Sequence, residues 1–154
     1  GMKDGLNVTY IPVYGPEMRG GTANCTVVLS EEDIGSPIIH RPRSLIILNR
    51  PSLDKFQPRL VDGGTQIVNS SLMDKELADT GRVETVFIGC NDIADKLGNS
   101  RLLNMVAIGA YAQATGIVSV QAVIDSLPDV ISPHYAKLIP LNAKAIEAGA
   151  EEVG

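Results

Sequence analysis

Ser44-Leu45-Ile46-Ile47-Leu48 is a continuous apolar run closed by Asn49-Arg50-Pro51. An amphipathic strand on a half-solvated sheet would alternate apolar and polar residues. A continuous run predicts a strand covered on both faces, as in a three-layer α/β sheet. Thr65 to Asn69 (TQIVN) and Val83 to Ile88 (VETVFI) are the next β-rich segments. Between the first two, Ser52 is a candidate N-cap for a helix over Leu53 to Val61, with Asp54 in its first turn and Pro58 as a break or kink. Asp62-Gly63-Gly64 reads as a turn. Ser70 to Arg82 is polar, with a helical stretch around Asp74 to Ala78.

Downstream the chain reads as helical. Asn91 or Asp92 caps a turn running to Leu97, and Gly98 stops it. Asn99 or Ser100 starts a long helix through Ala114, with Gly116 just past its end. Its interior (Leu102, Leu103, Met105, Val106, Ala107, Ile108, Ala110, Tyr111) is apolar almost all round, which predicts burial on more than one side. Gly109 and Ala110 let another element come close. Ser119 caps a helix over Val120 to Leu127 stopped by Pro128, and a last helix runs from near Pro140 towards Val153.

Upstream, Val8 to Val13 and Ala23 to Ser30 are β-rich and close enough for antiparallel pairing, with Pro12 marking a strand end or edge. The order of elements predicts an α/β domain of three layers with a mixed sheet, in a single domain over residues 1–154. In such a sheet the first strand ought to lie inside, normally after a strand–turn–helix unit.

Composition limits the chemistry. The chain has 154 residues, 44% of them hydrophobic and 20% charged, enough for one soluble globular core. Aromatics make up 4% and Trp is absent, so Val, Ile, Leu and Ala must fill that core. The net charge of -5 argues against nucleic-acid and anionic-membrane surfaces. No apolar run reaches a membrane span and no signal peptide opens the chain. Two cysteines, Cys25 and Cys90, neither build a disulfide framework nor supply the four thiolates of a cubane iron–sulfur cluster. A reducing, cytoplasmic compartment is expected. His40 and His134 lack ligand-like neighbours, so no metal site is expected.

The two upstream strands are joined by Tyr14-Gly15-Pro16-Glu17-Met18-Arg19-Gly20-Gly21-Thr22-Ala23-Asn24-Cys25. Glycines admit close approach of a partner backbone or ligand, and Pro16 stiffens the loop. The Arg19 guanidinium is a planar fork suited to phosphate or carboxylate. The alternative is a tight turn whose Glu17 and Arg19 are solvated or paired with each other. No dinucleotide, phosphate-loop or nucleophile-elbow motif follows any strand. Cys25 has no neighbouring base. Cys90 precedes a helix start, where a thiolate is favoured, and is a second-line candidate with Asn91; the alternative is a small residue at a strand end that is simply packed. Asn104, polar inside an apolar helix, is expected to be a core amide bonded to a loop, or part of a ligand site. The residues alone support binding or docking rather than catalysis.

The string Tyr14 to Cys25 resembles the gamma subunit of 2-oxoacid:ferredoxin oxidoreductases. Ser36-Pro37-Ile38, Leu48-Asn49-Arg50-Pro51-Ser52-Leu53-Asp54-Lys55-Phe56 and Asn99 to Ala110 agree, and the resemblance spans Val8 to the final helix. The wording of Asn49 to Phe56 is most similar to 2-oxoglutarate members, with pyruvate and branched-chain members related. The resemblance implies a non-catalytic subunit of an enzyme that decarboxylates a 2-oxoacid and forms acyl-coenzyme A. Thiamine diphosphate, magnesium and iron–sulfur clusters would be held by partner alpha, beta and ferredoxin-like delta subunits, and none by this chain. It implies that Tyr14, Gly15, Pro16, Glu17, Arg19, Gly20, Gly21 and Asn24 face coenzyme A or a partner. It allows a homodimer of the isolated chain, and implies neither nucleic-acid nor membrane partners. A stand-alone coenzyme A or nucleotide-binding module and a homo-oligomeric scaffold are the competing readings. Family members usually begin with a strand, a G-x-G-G-Q-G turn and a helix. Here Met2-Lys3-Asp4-Gly5 resembles the end of that helix, so the resemblance implies an N-terminally incomplete domain.

Overall fold

The computed structural model describes residues 1–13 and 22–153. Its strands fall into two sheets. β1 (Asn7–Val13) and β2 (Asn24–Ser30) form an antiparallel ribbon in which Asn7 pairs with Ser30 and Val13 with Asn24. β3 (Ser44–Ile47), β4 (Thr65–Asn69) and β5 (Glu84–Ile88) form a parallel sheet in the order β3-β4-β5. The expected α/β class holds, as do the mixed strand directions and the antiparallel pairing across the glycine-rich loop. The expectation that the first strand lies inside the main sheet does not hold: β1 pairs with β2 alone.

Helices cover both faces of the parallel sheet. On one face, Leu53 of α1 (Arg50–Phe56) packs with Ile47, Val68 and Met73. On the other, Ile67 and Ile88 pack with α2 (Cys90–Lys96), α3 (Leu103–Thr115) and α6 (Ile139–Glu151). Adjacent β4 residues Ile67 and Val68 therefore point into different cores, and both are 1% exposed. β4 is the strand buried on both faces. The apolar run that announced such a strand is β3, which lies at a sheet edge and leaves Ile46 exposed. The central strand instead carries buried Gln66 and Asn69.

α3 and α6 cross through two glycines. A side chain on Gly109 would run into the backbone carbonyl of Ile146, and one on Gly149 into that of Val106. Backbone thus meets backbone, and Ala107, Ala110 and Ala145 close the seam around them. The expected close approach at Gly109 is realised by α6. Gly116 ends α3 with φ 61°, the left-handed conformation that glycine adopts without a side-chain penalty.

Local capping departs from expectation at several points; α2 starts at Cys90 after Gly89, not at a cap on Asn91 or Asp92. Asn49, not Ser52, caps α1: its side chain accepts the Ser52 N–H at 3.0 Å. That helix ends at Phe56, and Pro58 sits in the following 3-10 turn (Gln57–Arg59), so of the expected break or kink it is the break that occurs, and the helix stops short of Val61. Ser119 caps α4 (Val120–Asp125) as expected, but Pro128 does not terminate it. α4 has already ended, and Pro128 occupies the first turn of α5 (Leu127–Val130), where a missing N–H costs nothing. Residues 1–6 carry the bonds that close a helix C-terminus: Leu6 N–H to Gly1 O at 3.0 Å and Gly5 N–H to Met2 O at 3.2 Å, with Gly5 at φ 80°. Lys3 then reaches Asp129 at 2.8 Å, joining this turn to α5.

Arg82 holds the amino end of β5 in place. Its guanidinium donates to Leu60 O, Gln57 O, Asp62 and Asp79. These hydrogen bonds to Asp62 and then Asp79 raise its pKa further above the ordinary arginine value.

Candidate functional site

In an open parallel sheet, side chains beyond the carboxyl ends of the strands are unencumbered, and ligands gather there. Here that end is built around Asn69. Its Nδ2 donates to Asn91 Oδ1 at 2.8 Å and Leu48 O at 3.3 Å. Its Oδ1 accepts the N–H groups of Cys90 at 3.1 Å and Ser71 at 3.3 Å. One buried amide thereby ties the end of β3 to β4 and to the start of α2. Beside it, the Ser71 hydroxyl donates to Asp92 Oδ2 at 2.8 Å, and Asp92 N–H returns to Ser71 Oγ at 3.3 Å.

A cleft of about 300 Å³ opens next to this rim, lined by Arg50, Ser70, Ser71, Met73, Asp74 and Leu77 among others. Arg50 stands at the start of α1, and its Nε donates to both Asp54 oxygens at 2.8 Å. With the Ser71 hydroxyl spent on Asp92, the cleft offers the Ser70 hydroxyl and one guanidinium edge, groups that bind anionic oxygen, beside the Asp74 carboxylate.

The sequence-predicted residues separate. Tyr14, Gly15, Pro16, Glu17, Arg19, Gly20 and Gly21 lie outside the described residues. Asn24 opens β2 and is half-buried. Just before it, Thr22 Oγ1 accepts from Lys55 Nζ at 2.8 Å, so the loop's exit is fastened to α1. Cys90 and Asn91 sit together at the carboxyl end of the sheet. Cys90 takes the packed alternative rather than that of an activated thiol at a helix start. It is 0% exposed in the main core, and burial pushes the thiol up to about 11, only partly opposed by its backbone hydrogen bond. Asn104 is not a core amide; it is exposed on α3. Asn69 was missed by sequence reading. Its signal was available in retrospect, as an amide ending a strand that is otherwise Ile-Val-rich.

Comparison with known proteins places this geometry. Residues 1–152 match the family described as pyruvate ferredoxin/flavodoxin oxidoreductase. The chain is 36% identical over 151 residues to ketoisovalerate oxidoreductase subunit VorA of Methanothermobacter thermautotrophicus, covering 96% of this chain and 30% of that protein. It is 31% identical over 153 residues to 2-oxoglutarate synthase subunit KorC of Methanothermobacter marburgensis, covering 96% of this chain and 81% of that one. The fold is similar to the crystal structure of the gamma subunit of a keto/oxoacid ferredoxin oxidoreductase from Geobacter sulfurreducens PCA, with a TM-score of 0.81, 28% identity, and coverage of 99% of this chain and 83% of that one. The chain spans less than a third of the length of VorA and about four-fifths of KorC. It belongs to the pyruvate ferredoxin/flavodoxin oxidoreductase family.

Proposed function

We propose that the chain acts as a non-catalytic gamma-type subunit of a 2-oxoacid:ferredoxin oxidoreductase. Partner alpha, beta and delta subunits carry thiamine diphosphate with its magnesium and the iron–sulfur clusters, which supply the carbon and electron chemistry. The residues of this chain do not fit a cluster, since four thiolates are needed and it has two cysteines, one sealed in the core. The observation that carries the reading is the family match over residues 1–152, together with a carboxyl-end rim whose polar groups are spent on one another. Asn69, Ser71 and Asp92 hold strand ends in place and leave no activated nucleophile among them.

Two relatives act on different acids by name, 2-oxoglutarate and ketoisovalerate. Coverage of about four-fifths of the 2-oxoglutarate relative, against under a third of VorA, supports 2-oxoglutarate here, with acyl-coenzyme A as product. The loop Tyr14 to Gly21, with Asn24 at its exit, faces coenzyme A or a partner, and Arg19 meets phosphate or carboxylate there. Reconstitution with the partner subunits tests this reading: turnover requires all chains, and the isolated chain is silent. Unaided decarboxylation of 2-oxoglutarate by the purified chain would overturn it.

A second reading, stand-alone coenzyme A binding, is favoured by the cleft at Arg50, Ser70 and Ser71. Calorimetric titration of the isolated chain with coenzyme A decides between them, because only the second reading expects saturable heat without partners.

A further inference from the structure

Residues 40–59 hold five basic side chains against one acidic, a local surplus on a chain whose net charge is -5. The acidic one, Asp54, is taken by Arg50 one turn before it. The other four cations, Arg41, Arg43, Lys55 and Arg59, are exposed. Among the described residues, none of the four is in an ion pair. The fold gathers them near the amino end of β3. Pro42 O accepts the Val61 N–H at 3.1 Å and Arg43 O accepts that of Thr65 at 3.1 Å, which laces the Arg41–Arg43 stretch to the chain leaving Arg59. Lys55 Nζ and Arg59 Cζ lie 5.3 and 5.8 Å from the centre of the Phe56 ring, so both cations sit against one aromatic side chain. The carboxylates that follow are engaged elsewhere: Asp62 by Arg82, and Glu84 by the Thr65 hydroxyl.

We propose that this basic corner docks an acidic segment of a partner subunit, a proposal that rests on the subunit reading above. An apolar surface can be covered by any further stretch of chain. Four unpaired cations cannot leave water without carboxylates to meet them, so this corner is either solvated or matched by an acidic surface. Its place in the fold favours the match. Lys55 Nζ also donates to Thr22 Oγ1 at 2.8 Å, which sets the corner at the exit of the loop that the subunit reading assigns to coenzyme A or a partner. The cations flank Pro42 and Phe56 on two chain segments. That spacing suits the separate carboxylates of a polypeptide better than a single phosphate.

The test is the affinity of the full chain for the thiamine and cluster subunits, titrated at about 50 and about 300 mM sodium chloride. Two double variants reverse the corner in halves: Lys55→Glu with Arg59→Glu, and Arg41→Glu with Arg43→Glu. The second pair leaves the Lys55–Thr22 bond intact, which separates charge from placement of the loop. Lys137→Glu with Lys144→Glu, both exposed and outside the corner, is the control. The wild-type complex should weaken about tenfold between the two salts, and each corner variant should bind about tenfold more weakly at low salt with a flatter salt dependence. The control should match wild type. Glutamine at the four corner positions should weaken binding in the same direction and keep the wild-type circular dichroism spectrum, which decides the matter should a glutamate variant fail to fold. Undiminished affinity and an unchanged salt dependence in either half of the corner would overturn the docking corner and leave the subunit reading standing. A wild-type chain that never assembles would overturn both. Normal assembly with a raised KM for coenzyme A would assign the corner to phosphate groups and overturn the proposal. Weaker assembly that only tracks a lowered melting temperature of the free chain would assign the carboxylates to the chain itself, and overturn it too.

Discussion

Asn69 Nδ2 lies 2.8 Å from Asn91 Oδ1, and that bond joins the end of the central strand to the first turn of the helix following its neighbour. Both Asn69 amide hydrogens and its carbonyl oxygen are engaged, at 1% exposure. Removing the amide strands Cys90 N–H and Asn91 Oδ1 beneath the rim. Asn69→Ala should therefore cost roughly 2–4 kcal/mol, combining a lost buried hydrogen-bond set with a small cavity. Urea unfolding monitored by circular dichroism checks it; a loss under about 0.5 kcal/mol would mean that the rim is not held this way.

Gly109 and Gly149 should each resist replacement. In an exposed helix, glycine to alanine gains about 1 kcal/mol of propensity. Here the added methyl meets the backbone of the facing helix, which cannot swing aside as a side chain would. Gly109→Ala and Gly149→Ala should each be net destabilising by about 2 kcal/mol or more, as overpacked cores are. Thermal melts of the two variants and of an exposed-helix alanine control read this directly. A neutral effect would show that α3 and α6 separate easily.

Cys90 should make stability fall in alkali. Its thiol stays protonated to about 11 when folded, against an ordinary value of 9.0. Above pH 9 the unfolded chain loses that proton first, so it binds fewer protons and stability declines as pH rises. The contribution is fully present below pH 9 and gone above about 11, at about 1.4 kcal/mol per unit of displacement. Cys90→Ala should flatten that limb of the denaturation-versus-pH curve. In the native chain at neutral pH, thiol titration should count one fast cysteine, Cys25, of the two.

Arg19→Ala should leave folding intact, yet weaken assembly or raise the KM for coenzyme A by roughly tenfold or more, the scale of one charge-assisted hydrogen bond. Steady-state kinetics of the reconstituted enzyme, with coenzyme A varied, is the check. Wild-type KM and wild-type assembly together would remove Arg19 from the contact.

The class of fold was legible because it depends on period and punctuation. Apolar runs at residues 44–48, 65–69 and 83–88 became the parallel sheet, and Gly98 and Gly116 ended helices as glycine does. Burial rank along that sheet was not legible. Ser44–Leu48 looked most interior but took an edge, while the central strand hides Gln66 and Asn69, whose partners lie far away in sequence. For Cys90 the packed reading held over the thiolate one for a related reason: the field of a helix start is local, whereas the core that seals the thiol comes from α3 and α6. Asn49 displaced Ser52 as a cap because cap choice depends on which residue leaves the strand in an extended conformation.

The most direct test is a reconstitution series in which 2-oxoglutarate-dependent reduction of ferredoxin is followed with this chain present, absent or alone. The account predicts activity when it joins the thiamine and cluster subunits, loss of at least tenfold when it is omitted, and none from the chain by itself. Full activity without it, or turnover by it unaided, would contradict the account.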